Sequence, residues 1–269
     1  MNQPLSVFII CQDEERIIDS CLRQAAKLAD EIVIVDSGSS DRTLEIARRY
    51  TDRIFHQDWL GYGRQKNSAL SRCSNEWVLS LDADEVLSDA LIGEIRKLDL
   101  RAPAYRIARK LFIGDRFIRW GGYYPDYQLR LFRKSLGRFS NAMVHESVKL
   151  SCHDQCPQLK HPLEHFSYRD LMEMKTAFRE FARLSDRKRN FPRAVMNFAY
   201  TFLNKFLLRF GFLHGLMGLR LALNHAEYSY LKYRQNPPGY LATPFQTGIN
   251  DHEVAHHPAS LGEHSLPNR

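Results

Sequence analysis

The feature that most constrains the fold of this chain is an apolar run that ends abruptly in carboxylates. Residues 77–81 have the composition of a buried strand, and Asp82, Ala83, Asp84 and Glu85 follow them directly. Side chains of a strand alternate between its faces, so Asp82 and Asp84 would point the same way if the extended backbone continued. A surface acidic turn is the alternative interpretation. Two carboxylates on one side of a strand end could hold a hard divalent cation and leave room for diphosphate oxygens.

The first 98 residues alternate between strand-like and helix-like segments. Apolar and β-branched runs that predict strands occupy 5–11, 31–35, 53–56 and 77–81. Segments with helical spacing of apolar residues, with Ser40 and Ser88 as expected N-caps, occupy 14–29, 41–50, 63–73 and 88–98. This alternation predicts an α/β fold with a mostly parallel sheet and helices on both of its faces.

Acidic or polar residues recur where the predicted strands end. They are Asp13 and Glu14 after the first strand, Asp36 and Ser37 after the second, and Asp82 and Asp84 after the fourth. Open α/β sheets bind ligands at the carboxyl ends of their strands, so these residues predict one shared crevice. Asp36 could accept from a ribose or a base; alternatively, Asp13 only caps a helix and Asp36 only anchors a turn. Neither a G-x-G-x-x-G sequence nor a Walker A motif follows the first strand, so a nucleotide diphosphate would depend on metal and side chains.

The pattern changes after residue 98. Residues 104–150 are rich in aromatic and β-forming residues, whereas three helical segments are expected at 168–190, 194–210 and 212–234. The segment 236–269 contains prolines and histidines without apolar periodicity and is predicted to be disordered. The predicted organisation is an α/β domain over 1–166, divided at 98/99 into two halves, a C-terminal helical region over 167–235, and the tail.

Composition limits the partners and the compartment. The chain has 269 residues and a net charge of +7, which favours an anionic partner. Its five cysteines do not form a disulfide framework, and the pair Cys152 and Cys156 has no second pair to complete a zinc site. The N-terminus lacks the basic and apolar regions of a signal peptide, so a cytoplasmic location is expected.

Several motifs together resemble glycosyltransferase family 2. They are S-V-F-I-I, E-I-V-I-V-D-S-G-S-S-D, D-W-L-G-Y-G-R-Q-K-N, S-L-D-A-D-E and the later G-G-Y-Y-P-D-Y-Q-L-R-L-F-R followed by V-H-E-S-V. The chain looks most similar to the bacterial lipopolysaccharide-core β-glucosyltransferase branch, whose members add glucose to an inner-core heptose. The resemblance covers about residues 4–235. It implies a GT-A catalytic domain over 1–166, with 1–98 as the nucleotide-sugar half and 99–166 as the acceptor half. It also implies a UDP-sugar donor, Mg²⁺ or Mn²⁺, and inversion at the anomeric carbon.

The same resemblance implies roles for individual residues. Glu146 matches the family's general base, with Asp126 as the alternative, and His165 matches a late histidine that binds metal together with Asp84 and Asp82. The donor-binding set is Asp13, Glu14, Asp36, Ser37, Lys66, Asn67, Asp82 and Ala83. The acceptor set is Gly121, Gly122, Asp126 and Arg130. Two glycines in succession would let the backbone approach a sugar closely.

The helical region suggests a membrane surface. Lys175, Arg179, Arg183 and Arg187 recur every four residues, and the apolar stretch 198–223 is interrupted by Lys205, Arg209 and Arg220. These charges argue against a spanning helix and fit an interfacial surface on the anionic inner membrane, although packing on the catalytic domain is an equal alternative.

The sequence therefore predicts a metal-dependent inverting transferase that moves a sugar, expected to be glucose, to the lipopolysaccharide inner core. A polyprenyl-phosphate or another envelope glycan is the alternative acceptor. A sugar nucleotidyltransferase or a non-catalytic basic binding module are competing functions, and no nucleic-acid partner is expected.

Overall fold

The computed structural model describes residues 3–140, 147–152, 155–183, 185 and 187–234. The predicted base Glu146 and the predicted disordered tail 236–269 lie outside these residues.

The N-terminal half is an alternation of strands and helices, as predicted. Its elements are β1 (Leu5–Cys11), α1 (Ile18–Ala25), β2 (Glu31–Asp36), α2 (Thr43–Ala47), β3 (Ile54–His56), α3 (Tyr62–Arg72), β4 (Trp77–Asp82), β5 (Glu85–Leu87) and α4 (Asp89–Arg96). Strands β3, β2, β1 and β4 lie side by side in this order and are parallel. All seven residues of β1 are buried, because helices cover both faces of this part of the sheet.

The second half extends the sheet with mostly antiparallel strands. Its elements are β6 (Ala104–Ile113), β7 (Arg116–Phe117), β8 (Asp126–Arg133), β9 (Gly137–Phe139), β10 (Val148–Leu150) and β11 (Leu163–Tyr168). The strand order continues β4-β8-β6-β11-β5, while β9 and β10 form a separate pair. Because β8 runs antiparallel to β4, its first residue, Asp126, lies at the edge where β4 ends.

The C-terminal region is helical, as predicted. It consists of α5 (Leu171–Arg183), α6 (Phe191–Leu203), a π-helical segment (Asn204–Leu208), a 3₁₀ turn (Gly211–His214) and α7 (Leu216–Arg234). Met174 of α5 and Leu221 of α7 pack with Ile113 and Ile118 in a small apolar core, which joins this region to the sheet. Among the helices described, none is both long and apolar enough to cross a membrane.

Local details differ from the predictions at two helix starts. The first helix begins at Ile18 rather than near Glu14. Ser40 is not an N-cap, because α2 begins at Thr43 and the Ser40 hydroxyl instead donates to the Asp13 carboxylate. Ser88 does cap α4, where its hydroxyl accepts from the amide of Leu91 at 3.2 Å. The α/β architecture with a C-terminal helical extension is confirmed.

Candidate active site

The carboxyl end of β4 places Asp82 between two buried cations. The Lys66 ammonium lies 2.7 Å from one carboxylate oxygen, and the Arg130 guanidinium lies 2.6 Å from the other. Lys66 is on α3 and Arg130 is on β8, and only 3% and 5% of their surfaces are exposed. Burial by itself would raise the pKa of Asp82, but Arg130 and Lys66 hold it well below its usual range. Asp82 is therefore an ionised carboxylate with both oxygens engaged.

Asp84 faces a different partner from Asp82. Strand β4 ends at Asp82 and β5 starts at Glu85, so Ala83 and Asp84 form a turn and the extended backbone does not continue. The Asp84 carboxylate lies 3.1 Å from Nε2 of His165, a residue of β11. Burial opposes both ionised forms, but the attraction between the two groups lowers the pKa of Asp84 and raises the pKa of His165.

A half-buried arginine that the sequence did not single out completes the network. Arg109 of β6 pairs across the sheet with Asp126, and its Nη2 lies 2.6 Å from the Asp126 carboxylate. Its Nη1 lies 3.4 Å from Glu85, a fully buried carboxylate that also contacts Arg130. Burial alone would raise the pKa of Asp126, but Arg109 lowers it. A basic residue two positions after the buried Ile107 was the available signal, since strand alternation places both on the same face.

The loop after β1 contributes Asp13 and Glu14. Asp13 has a positive φ of 54° and its carboxylate accepts from the Ser40 amide at 2.7 Å, so it ties this loop to the one after β2. Burial, followed by the negative charge of Asp84, raises the pKa of Glu14 from 4.5 to about 8. The Glu14 carboxyl group is therefore electrostatically part of the same site as Asp84.

Three predicted donor-binding residues have side chains that bond to other groups of the protein. The buried Asp36 carboxylate accepts from the amides of Gly38 and Ser39 at 2.8 and 3.0 Å, which is the turn-anchoring alternative. The Ser37 hydroxyl accepts from Nε2 of Gln65 at 2.9 Å. The Asn67 side chain bonds to the backbone of Phe139 in both directions. Their donor-binding roles remain predictions.

The two glycines predicted to approach a sugar approach the C-terminal region. The Gly121 amide donates to the Arg209 carbonyl at 2.8 Å, and its carbonyl accepts from the Lys205 ammonium at 3.1 Å. A Cβ on Gly122, which has a φ of +75°, would collide with the Arg209 side chain. The close approach that requires glycine here is therefore between two parts of the protein, and the acceptor-binding role remains a prediction.

The donor atoms at Asp84 and His165 fit a divalent cation. A carboxylate oxygen and an imidazole nitrogen lie 3.1 Å apart, and both atom types suit Mn²⁺ or Mg²⁺, the nitrogen suiting Mn²⁺ better. Within the described ranges, no three His, Cys, Asp or Glu side chains form a potential metal site. Two protein ligands would leave positions for phosphate oxygens and water. Asp82 remains a predicted ligand, although its oxygens contact Lys66 and Arg130.

Comparison with known proteins identifies the family. The family model "Glycosyl transferase family 2" matches residues 6–139, about half of the chain. The lipopolysaccharide core biosynthesis glycosyltransferase LpsC of Rhizobium meliloti is 37% identical over 159 residues, which are 54% of this chain and 57% of LpsC. An uncharacterized glycosyltransferase of Rickettsia typhi is 36% identical over 54% of this chain and 52% of that protein. The chain spans just over half the length of these curated relatives.

Among solved structures, the S. aureus TarS fragment 1–349 in complex with UDP-GlcNAc aligns with 66% of this chain and 65% of its own length. The sequence identity is 17% and the TM-score is 0.45. The match to the family model covers β1 to β9. It includes the charged residues paired at the sheet edge, except for His165: Lys66, Asp82, Asp84, Glu85, Arg109, Asp126 and Arg130. Residues 6–139 are therefore a glycosyltransferase family 2 domain, and the mostly parallel sheet flanked by helices agrees with the GT-A fold that this family implies.

Proposed function

We propose that this protein transfers a sugar from a UDP-sugar to the lipopolysaccharide inner core, with glucose as the sugar and a heptose as the acceptor. The observation that carries the proposal is the edge of the sheet where Asp82, Asp84, Lys66, Arg130 and His165 converge. The similarity to a relative named as a lipopolysaccharide core glycosyltransferase supports the choice of acceptor.

The donor is proposed to bind at the ends of β1, β2 and β4. The loops that contain Asp13, Glu14, Asp36 and Ser37 would face the nucleoside, with Asn67, Asp82 and Ala83 beside the diphosphate. Lys66 already neutralises Asp82, so an incoming diphosphate would compete with that carboxylate for the ammonium group. The attraction between a buried cation and a phosphate is stronger here than in water, because the low dielectric screens it less.

The cofactor is proposed to be Mg²⁺ or Mn²⁺, held by Asp84 and His165. When bound, the cation would offset the charge that accumulates on the departing diphosphate. The protein's own part is to keep Asp84 ionised and His165 deprotonated at Nε2, which favours neutral or slightly alkaline pH, because the pKa of His165 is raised in the metal-free state.

On the acceptor side, Glu146 is the proposed general base. An inverting transfer requires a carboxylate that removes the proton from the acceptor hydroxyl while its oxygen attacks the anomeric carbon from the face opposite the diphosphate. Asp126 is the weaker candidate, since its pKa is lowered and its Oδ2 accepts from Nη2 of Arg109 at 2.6 Å and from Nε at 2.9 Å. A carboxylate with this partner is a poor proton acceptor. Arg130, fixed by Asp82 and Glu85, is then a residue that shapes the site.

A direct assay tests this function. Purified protein would be incubated with Mn²⁺, a panel of nucleotide sugars, and truncated lipopolysaccharides or polyprenyl phosphates, and the products read by mass spectrometry. We expect a mass increase of one hexose on the heptose-containing core with a UDP-sugar. Transfer to polyprenyl phosphate alone would replace the acceptor, and release of pyrophosphate from a nucleoside triphosphate would indicate a nucleotidyltransferase. Equal turnover with and without divalent cation would contradict the cofactor.

A further inference from the structure

Exposed apolar side chains are concentrated in one part of the C-terminal region. Of the fifteen large hydrophobic residues that are exposed in the described part of the chain, twelve lie between Phe191 and Leu223. Scattered exposed apolar residues are ordinary, but a contiguous group marks a surface that contacts something else. We call these twelve residues the apolar face; they include Met196, Tyr200, Leu203, Leu208, Phe210, Leu213 and Leu216.

Helix geometry explains why the members on α6 share a surface. Met196, Tyr200 and Leu203 are four and three residues apart on α6, so they lie in one stripe, and the opposite side of α6, including the buried Ala194, packs against α7. The π-helical segment and the 3₁₀ turn that follow contain the exposed Leu208 and Leu213, and the ring of Phe206, which stacks on Phe202 of α6 at 5.4 Å, lies 6.3 Å from that of Phe212 in the turn. Between them Phe210 has a φ of +59° although its side chain is 53% exposed, so core packing does not account for this strained backbone.

The segment that carries the apolar face has charges of a single sign. Residues 187–226 contain seven Lys and Arg residues and no Asp or Glu. Arg193, Arg209 and Arg220 are exposed among the apolar side chains. An apolar surface on a segment whose own charges are all cationic is complementary to the headgroups and upper acyl chains of anionic phospholipid.

The apolar face is continuous with the acceptor side of the site. The ring of Trp120 lies 6.3 Å from that of Phe210, and the Trp120 amide donates to Nε2 of His214 at 3.0 Å. Trp120 is itself 37% exposed, with Arg119 over its ring at 5.2 Å. From Trp120 the chain passes through Gly121 and Gly122 to Asp126 at the start of β8. A bilayer that contacts Phe210 would therefore lie beside the segment that leads to the acceptor site.

We propose that the apolar face inserts into the outer layer of an anionic phospholipid bilayer, so that the acceptor side of the site opens at the membrane surface. This inference rests on the proposed function for its orientation, since a lipid-linked acceptor would then reach the site without leaving the bilayer. Tyr200 and Trp120 are amphipathic rings of the kind that lie at the headgroup level.

Self-association is the competing use of such a surface. A two-fold interface brings the same residues of two copies together, so Arg193, Arg209 and Arg220 would oppose their own counterparts. Without acidic residues between 187 and 226, this repulsion has no compensation within the interface. Charge therefore favours anionic lipid over a second copy.

Flotation of the full chain with vesicles tests the inference. Wild-type protein should float with phosphatidylethanolamine–phosphatidylglycerol vesicles and bind phosphatidylcholine vesicles at least about tenfold more weakly, because several arginines face the surface. Leu208→Glu should reduce flotation by about tenfold, because it places a charge at the apolar interface. Met172→Glu is the matched control, since Met172 and Leu208 are 70% and 69% exposed and Met172 lies outside the apolar face. It should change flotation less than about twofold, as an isolated surface substitution does.

The outcomes separate this inference from the proposed function. Wild-type protein that stays in solution, or equal losses in the two variants, would overturn membrane insertion. So would a dimer in sedimentation velocity that Leu208→Glu dissociates while vesicle binding is unchanged. UDP binding, measured by calorimetry with Mn²⁺, should be equal in wild type and Leu208→Glu. If the protein floats with vesicles but transfers no sugar in the assay, membrane insertion is supported and the proposed function is refuted.

Discussion

The sheet edge and the apolar face differ in how their energetically unfavourable groups are compensated. The groups are buried charges at the sheet edge and exposed apolar side chains on the apolar face. At the sheet edge, the charges of Asp82, Glu85 and Asp126 are buried or half-buried, and each has a cation within 3.4 Å. On the apolar face, side chains such as Leu208 and Met196 are about 70% exposed. The first region is organised before a ligand arrives, whereas the second leaves its apolar surface in water. The first region is therefore suited to a charged small molecule and the second to a nonpolar phase.

The largest expected effect concerns the base. Glu146→Gln should lower kcat by roughly 100- to 10,000-fold, because an amide cannot accept the hydroxyl proton. UDP binding measured by calorimetry should be preserved, and Asp126→Asn serves as the parallel variant. If Asp126→Asn shows the greater loss while Glu146→Gln remains active, the base is Asp126 and the paired network supplies it.

The next effect tests whether the buried charges depend on one another. Arg130→Met should lower the free energy of unfolding by about 3 kcal/mol, because it leaves the buried Glu85 with Arg109 at 3.4 Å as its remaining cation and removes one of the two cations that contact Asp82. Lys27→Met is the control, since the Lys27–Asp89 pair is close, at 2.8 Å, but largely exposed. It should cost no more than about 1 kcal/mol. Urea denaturation that gives equal losses would remove the distinction between the network and surface pairs.

A third change addresses the metal site. Asp84→Ala should lower Mn²⁺-dependent turnover by roughly 100- to 1,000-fold, as does removal of a group that stabilises developing charge. Asp89→Ala, at a largely exposed carboxylate, should leave turnover unchanged. Initial rates over a Mn²⁺ titration would measure both. Full activity of Asp84→Ala would exclude Asp84 as a ligand.

The smallest expected effect lies between the two regions, at Lys205. Its ammonium donates to the Gly121 carbonyl and lies over the Tyr123 ring, 4.2 Å from its centre. Burial, followed by Arg209, lowers its pKa from 10.5 to about 8. Above pH 8 the unfolded chain binds this proton more strongly, so this group makes stability rise between pH 8 and pH 10.5.

Compared with Lys205→Met, the wild type should gain about 1–2 kcal/mol over this interval, a range reduced for the partial exposure of the side chain. Urea denaturation of both proteins at pH 7.5, 9 and 10.5 measures the difference. A difference that is constant with pH would show that Lys205 has no lowered pKa.

The sequence was most informative where the backbone pattern alone decides position. Runs such as 5–11 and 77–81 are apolar because both faces of their strands are covered, so their strands could be predicted directly. The clustering of Asp82 and Asp84 at one sheet edge followed from parallel strands. Their different orientations did not, because the turn at Ala83 interrupts the alternation.

Residues that depend on distant partners were harder to predict. Arg109 belongs to the site only because β6 pairs with β8 and places it opposite Asp126, a register that local sequence does not determine. For Gly121 and Gly122, the two successive glycines predicted that another group approaches the backbone closely. The sequence did not predict that the approaching groups are Arg209 and Lys205, some 85 residues later in the chain.

The glycines of the C-terminal region have a consequence for comparing related chains. A Cβ on Gly218 would collide with the Gly211 carbonyl, and one on Gly211 would collide with the Lys205 carbonyl. Backbone atoms cannot rotate away as a side-chain tip can, so even alanine is excluded without a shift of the main chain. A homologue with a side chain at either position must connect its helices by another geometry, and these two positions therefore report whether a related sequence shares this arrangement.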